Sequence, residues 1–384
     1  MIKLNHVSFA YKTGEAGEPI QVLHNVNFQA APGECVVFCG KSGCGKTTML
    51  RLINGLVPHF YAGNLEGSAL IGGVDTTQTP LPRMARIVGS VFQNPRTQFF
   101  HLDTTGEMVF NLENQNISCS EMQKRLQEVV CRLNLQELME RNIFELSGGE
   151  KQQIACGSAY ASLPPIIVMD EPSSNLDMES IRKLQKIICI MKEEGKTVLL
   201  SEHRLWYLEG IADRYVLLEN GQISQEFTPE MIAKLSKENR DKMGLRAVSR
   251  KQLYEPCYDM NIGEYSDVGL EIDRLQFCRE KRQVLNIPHL KIPKGAIVAV
   301  IGENGAGKST LSLCLTGLLK HAGTIRIDDE KILNKKLPEQ TYLVMQEAGH
   351  QLFSDTVLGE LTLNKQTVTE VQAEEILDKL GLNG

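Results

Sequence analysis

Gly40-Lys-Ser-Gly-Cys-Gly-Lys46-Thr47 and Gly302-Glu-Asn-Gly-Ala-Gly-Lys308-Ser309 decide how this 384-residue chain is read. Both spell G-x-x-x-x-G-K-[ST], each after an apolar run and before a helix-like segment. The glycines let the main chain approach phosphate oxygens. Successive backbone N–H groups and the N-terminus of the following helix make an anion site. Lys46 and Lys308 supply positive charge, and the hydroxyls of Thr47 and Ser309 suit a Mg²⁺ ligand. Gly40, Ser42, Gly43, Cys44, Gly45, Lys46, Thr47 and Thr48 are therefore expected to hold a nucleoside triphosphate. The same is expected of Gly302, Asn304, Gly305, Ala306, Gly307, Lys308, Ser309 and Thr310. A Gly-rich turn with an exposed lysine is the alternative for either copy, and the repetition speaks against it.

Working outward from the two loops gives an internal repeat. Leu4-Asn-His-Val7-Ser-Phe9 matches Ile272-Asp-Arg-Leu275-Gln-Phe277, and both alternate with period two, as in a half-buried strand. Glu34–Cys39 matches Ala296–Ile301, a continuous apolar run expected to be a buried parallel strand. Val91-Phe-Gln93 with Gln98 matches Val344-Met-Gln346 with Gln351, the second Gln lying five residues after the first in each half. The first half continues through an amphipathic stretch, Ser120 to Leu135, then a strand Ile166–Asp170, a helix near Met178–Glu194 and a strand Thr197–Ser201. The reading is one unit over residues 1–237, a polar linker over 238–268 without periodicity, and the front part of a second unit over 269–384.

Composition bounds the rest. Hydrophobic residues make up 42% and charged residues 23%, ordinary values for a globular protein. No stretch approaches the roughly 18 apolar residues of a membrane-spanning helix, and the N-terminus lacks an apolar signal core. A net charge of −6 gives no reason to expect nucleic acid as a partner. The ten cysteines are scattered singly, which fits a reducing cytoplasm and no disulfide framework.

Four apolar residues, Ile166 to Met169, place Asp170 and Glu171 at the C-terminal end of a buried strand, the edge at which open α/β sheets bind ligands. Asp170 can hold Mg²⁺ through water, and Glu171 can polarise an attacking water. Solvated acids starting a turn into Pro172 are the alternative. Leu146-Ser-Gly-Gly-Glu resembles the signature of the ATP-binding-cassette ATPases. Gln93, Asp170-Glu171, Ser174-Asn-Leu-Asp177 and His203 follow the order that family requires. The resemblance implies a P-loop cassette: an α/β fold with a mixed core sheet and flanking helices, an antiparallel β subdomain and a helical signature subdomain. It implies this fold twice, the second copy truncated. It also implies that Ser147, Gly148 and Gly149 grip the γ-phosphate of ATP held by an opposite cassette. His203 would contact the γ-phosphate. Gln93, with Gln346 in the second half, would touch Mg²⁺ and the attacking water, and Tyr11 would stack on adenine. Arg279 stands where the second half would carry that aromatic.

Leu52–Tyr61, Gly63–Gly67, the Gln93 segment and Ser201–Tyr207 look like the ATPase components of energy-coupling-factor vitamin and cobalt importers, in the form with two cassettes in one polypeptide. The resemblance implies a transmembrane coupling protein and a membrane-embedded substrate-binding subunit as partners. It also implies pairing of cassettes and a place on the cytoplasmic face of the membrane. The second half stops near the counterpart of Glu137, and in the first half about 100 residues follow that point, 137 to 237. The expectation is a sequence incomplete at its C-terminus, with weak ATPase activity of its own and an unstable half-unit. Two other readings stand beside this one. A twin-cassette translation factor would need a basic, helical linker, and residues 238–268 are mixed in charge. A non-hydrolysing nucleotide-binding scaffold fits the second half better than the first, where Glu171 and His203 are present.

Overall fold

A computed structural model describes residues 1–12, 18–253, 267–280, 282–302, 305–345, 348–363 and 368–382. The chain divides into two compact units, Met1–Asp259 and Met260–Gly384. In the first, the strands are β1 (Ile2–Tyr11), β2 (Ile20–Ala30), β3 (Cys35–Cys39), β4 (Gly63–Ile71), β5 (Val74–Asp75) and β6 (Val88–Val91). They continue with β7 (Ile166–Asp170), β8 (Thr197–Ser201), β9 (Arg214–Glu219) and β10 (Gln222–Phe227).

The central sheet runs β10-β9-β3-β8-β7-β6, parallel except for the antiparallel edge strand β10. A strand in its middle is covered on both faces, which is why β3 reads Cys-Val-Val-Phe-Cys without a polar residue. Alternation sends Cys35, Val37 and Cys39 to one face and Val36 and Phe38 to the other, each into its own hydrophobic cluster. Helices Thr104–Asn114, Gly148–Ala161 and Met178–Glu193 supply side chains to the first cluster. The second lies under helix Lys46–Ile53 and an antiparallel sheet in the order β2-β1-β4-β5. In β1 the alternation shifts phase between Leu4 and Val7, where His6 takes φ +50°, so Ile2, Leu4, Val7 and Phe9 all point inward. Burial of each such side chain is worth about 1.5–3 kcal/mol.

The buried thiols follow from the same layering. Cys35 and Cys39 sit inside the sheet, and burial pushes both up to about 12. They are packing residues rather than nucleophiles. The amphipathic stretch Ser120–Leu135 is a helix over Cys119–Leu133, and its cap is Ser118, whose Oγ accepts from the Glu121 amide. Two expectations differ from the structure. The polar stretch from residue 238 does not begin as a linker. Helix Lys237–Met243 is capped by Ser236, and Leu245 and Val248 are buried in the first cluster. Apolar residues spaced after a short capped helix anchor the segment despite its polar composition.

The second unit contains β11 (Val268–Arg279), β12 (Arg282–Pro293), β13 (Ala322–Ile327) and β14 (Glu330–Ile332) in the order β12-β11-β13-β14, with helix Lys308–Leu315 over a small core. Here the strand expected over Ala296–Ile301 is absent, and Ile297 and Ile301 are 101% and 90% exposed. Its counterpart β3 is held between β8 and β9. Among the described residues of the second unit there is no counterpart of either strand. An apolar run without neighbours to bond its backbone does not form a strand.

Candidate active site

The parallel strands end along one edge, and that edge gathers the chemistry. β3 runs into the Gly40 loop, β8 into His203, β7 ends in Asp170 and Glu171, and β6 leads to Gln93. Since β3, β8, β7 and β6 are consecutive neighbours, residues from Gly40 to His203 meet on one edge. Gly40 has φ +131°, and a Cβ there would lie 2.3 Å from the Leu218 carbonyl oxygen. Glycine is required by both the conformation and the close approach of β9. The loop then turns into helix Lys46–Ile53, whose N-cap is Gly45. Lys46 is buried and its Nζ donates to the carbonyls of Gly40 at 3.0 Å and Lys41 at 2.9 Å. A cleft of about 210 Å³ is lined by Val22, Ser42, Gly43, Gly45, Lys46, Thr47, Thr48 and Glu171. Cys44 is buried beneath it.

Across the cleft, Thr47 Oγ1 donates to Asp170 Oδ1 at 3.1 Å, and Ser201 Oγ donates to the same oxygen. Glu171 stands at φ +41°, its amide bonded to the Ser201 carbonyl and hydroxyl. A left-handed non-glycine residue is costly and is held here by those bonds. One Glu171 oxygen accepts from Gln93 Nε2 at 3.0 Å, and the other lies 3.3 Å from His203 Nε2. The His203 bond, with smaller contributions from Lys46 and Gln93, holds the Glu171 carboxyl below the usual value although partial burial works the other way. Gln93 is itself placed by Gln98, which accepts from the Phe92 amide and donates to the Ser90 carbonyl.

Thr47 and Asp170 present hard oxygen donors side by side, which suits Mg²⁺. Among the described residues no group of three or more His, Cys, Asp or Glu could enclose a cation. An ion here would complete its shell with water and phosphate oxygens, the habit of Mg²⁺.

In the first unit, Tyr11 and Ser147–Gly149 do not line this cleft. Tyr11 is half-buried. Its hydroxyl meets Thr48 Oγ1 at 3.1 Å and accepts from Arg51 at 3.2 Å. Ser147 caps helix Gly148–Ala161 in a capping box with Glu150, and Ser147 and Gly148 are exposed while Gly149 is buried. A Cβ on Gly149 would come within 2.0 Å of Ser180 Oγ, which accounts for the second glycine of the pair. In the second unit Lys308 Nζ donates to the Gly302 carbonyl at 2.8 Å, repeating the Lys46 geometry. Gly305, Ala306 and Ser309 are exposed, Gly307 and Thr310 half-buried, and Arg279 exposed at the end of β11. Asn304 and Gln346 lie outside the described residues. Sequence reasoning passed over Glu202 and Arg204, which brace the loops on either side of His203.

Comparisons with known proteins give the family. The sequence model described as ABC transporter matches residues 23–174 and again 285–384. A Treponema denticola protein, carried as a candidate ABC transporter ATP-binding protein, is 40% identical over 392 residues, covering all of this chain and 78% of its own length. A candidate HMP/thiamine import ATP-binding protein, YkoD of Bacillus subtilis, is 28% identical, covering all of this chain and 74% of its own length. The solved dimer of the cassette MJ0796 in a post-hydrolysis state with ADP and Pi is 30% identical, with a TM-score of 0.51, over 60% of this chain and 99% of that one. Fold, site and similarity together place the chain in the ABC transporter family, as an ATP-binding ATPase cassette of the kind that powers a transporter.

Proposed function

We propose that the first unit hydrolyses ATP at the Lys46 cleft, with Glu171 directing the water. The observation that carries this reading is the convergence on one cleft of Lys46, the Thr47–Asp170 pair and the Glu171 carboxylate, itself held between Gln93 and His203. Phosphates lie against the amides of Gly43 to Thr48. Lys46 turns from the Gly40 and Lys41 carbonyls to the β and γ oxygens. Thr47, Asp170 and Gln93 would hold Mg²⁺, which when bound would neutralise phosphate charge. Glu171 accepts a hydrogen bond from water, whose oxygen attacks the γ phosphorus as the bond to the bridging oxygen breaks, releasing ADP and phosphate. His203 steadies the γ-phosphate. The work is positioning and charge compensation, and oriented groups of this kind supply on the order of 10² or more in rate each.

Tyr11 stacks on adenine once its hydroxyl leaves Thr48. The exposed Ser147–Gly148 segment at a helix N-terminus is suited to the γ-phosphate of ATP on an opposing cassette. Two such units therefore pair, and closure around ATP drives a membrane partner. The second loop, Gly302 to Thr310, holds a further nucleotide, and the two units act as two fused cassettes. We assign the system to the energy-coupling-factor type, an importer of a vitamin or metal ion with a transmembrane coupling protein and a substrate-binding membrane subunit. Similarity to the Bacillus subtilis protein named for HMP/thiamine import supports that assignment. Among the described residues no helix is long and apolar enough to cross a membrane, and with the proposed membrane partners the chain takes a peripheral place on the cytoplasmic face.

Replacing Lys46 by Ala tests the cleft. MgATP affinity, followed by displacement of a fluorescent analogue, should fall by about tenfold or more, as expected for losing a charge-assisted contact worth 1.5–3 kcal/mol. An unchanged affinity would remove the cleft as the nucleotide site.

A further inference from the structure

Glu202 lies directly before His203, is 1% exposed, and has no part in the proposed chemistry. Its two oxygens are nevertheless fully engaged. Oε2 accepts from the His203 amide at 2.9 Å and the Arg204 amide at 3.2 Å. Oε1 accepts from the Ser173 amide at 3.0 Å and the Tyr207 hydroxyl at 2.7 Å. Its own amide donates to the Phe38 carbonyl of β3, two residues before the phosphate loop. Burial pushes the Glu202 carboxyl up, and the surrounding hydrogen bonds pull against that. Arg204 completes the brace by donating to the carbonyls of Ser173 at 3.2 Å and Leu176 at 3.1 Å. The loop so gripped, Ser173 to Asp177, adjoins the Ser147 helix of the same unit. Asn175 O lies 3.9 Å from where a Gly148 Cβ would stand, and Ser180 is packed against Gly149.

We propose that Glu202 is a positioning residue which, with Arg204, links His203 to the Ser173–Asp177 loop, so that nucleotide engaged by His203 also orders the Ser147–Gly149 segment of the same unit. The inference rests on the reading of His203 as a phosphate contact and goes beyond it by naming the part of the unit that contact reaches. A buried carboxylate accepting four bonds from two loops and a tyrosine resists independent motion of either loop, because any separation strands buried donors. The Ser-Gly-Gly segment serves an opposing cassette in the proposed pairing. Occupancy of one site would then be communicated to the other through side chains of one unit.

Glu202→Gln keeps the volume but turns one accepting oxygen into an amide nitrogen, which then faces either the His203 and Arg204 amides or the Ser173 amide and the Tyr207 hydroxyl. The test is hydrogen exchange followed by mass spectrometry on the full chain, with and without a non-hydrolysable ATP analogue. In the wild type the analogue slows exchange in residues 40–48, in 172–178 and in 147–152. In Glu202→Gln the protection of 40–48 remains, and that of 172–178 and 147–152 falls by about fivefold or more. In turnover assays the variant loses about tenfold in kcat per folded molecule with KM within about twofold, the folded fraction being fixed by its thermal melt. Equal protection of all three segments in variant and wild type overturns the inference and leaves the site intact. Absence of protection at 40–48 in the wild type sinks the site itself. Should Glu202→Gln lose its cooperative melt, Tyr207→Phe and Arg204→Lys, which each remove part of the brace, carry the test. Selective loss at 172–178 and 147–152 in those variants supports the link, and unchanged protection in both overturns it.

Discussion

At the scale of single residues, Glu171 is where geometry and charge meet. Its carboxyl is held below the usual value chiefly by the His203 bond. A carboxyl lowered on folding adds stability that is fully present above its unfolded value, about 4.3, and is lost as pH falls through the folded value. Comparing denaturant midpoints of the wild type and Glu171→Gln therefore gives a difference that moves against the wild type as pH drops below about 4.3. A difference flat with pH would mean that Glu171 has no native partner. Glycines in the loop divide in a second measurable way. Gly40→Ala drives a Cβ to 2.3 Å from a backbone carbonyl oxygen, whereas a Cβ on Gly43 meets nothing within 4 Å. Gly43→Ala should cost only its left-handed strain, about 1 kcal/mol, and Gly40→Ala clearly more, as read from thermal melts. Lys46 stood out in the chain through its Gly-rich pattern, and Asp170, Glu171 and His203 because they follow recognisable apolar runs. Glu202 was not legible. One acid beside a histidine looks solvated until the fold brings Ser173 and Tyr207 against it.

Elements were legible where their neighbours are close in space and both faces are covered. β3, β7 and β8 are short runs of apolar residues, and their register in the parallel sheet puts alternate side chains into two cores. Leu200 of β8, fully buried, should lose about 2–5 kcal/mol on truncation to Ala, with an unchanged denaturant slope. A loss below about 1 kcal/mol would mean that this face is not the packed one. The same apolar signal misleads at Ala296–Ile301, where the flanking strands are missing from the described second unit. Composition misled in the opposite sense at residue 238, because a few anchoring side chains, Leu245 and Val248, outweigh a polar background. Periodicity reports what a segment can bury, and the topology supplies what it is buried against.

For the molecule as a whole, the first unit carries both large hydrophobic clusters and the full set of cleft residues, while the second holds a small core around Ile272, Leu275 and Cys314. Residues 1–253 expressed alone should therefore unfold in one cooperative transition and bind an ATP analogue about as tightly as the full chain. Failure of that segment to fold would show that its stability depends on residues beyond Leu253. The chain spans 78% of the Treponema denticola relative, with the family's sequence model matching on both sides of residue 260. In the proposed mechanism Glu171 directs water onto a phosphate held by Lys46, and one paired measurement on Glu171→Gln tests that role. ATP binding should stay within about threefold of the wild type while hydrolysis falls on the order of 10² or more. Hydrolysis undiminished in a variant that still binds ATP would contradict it.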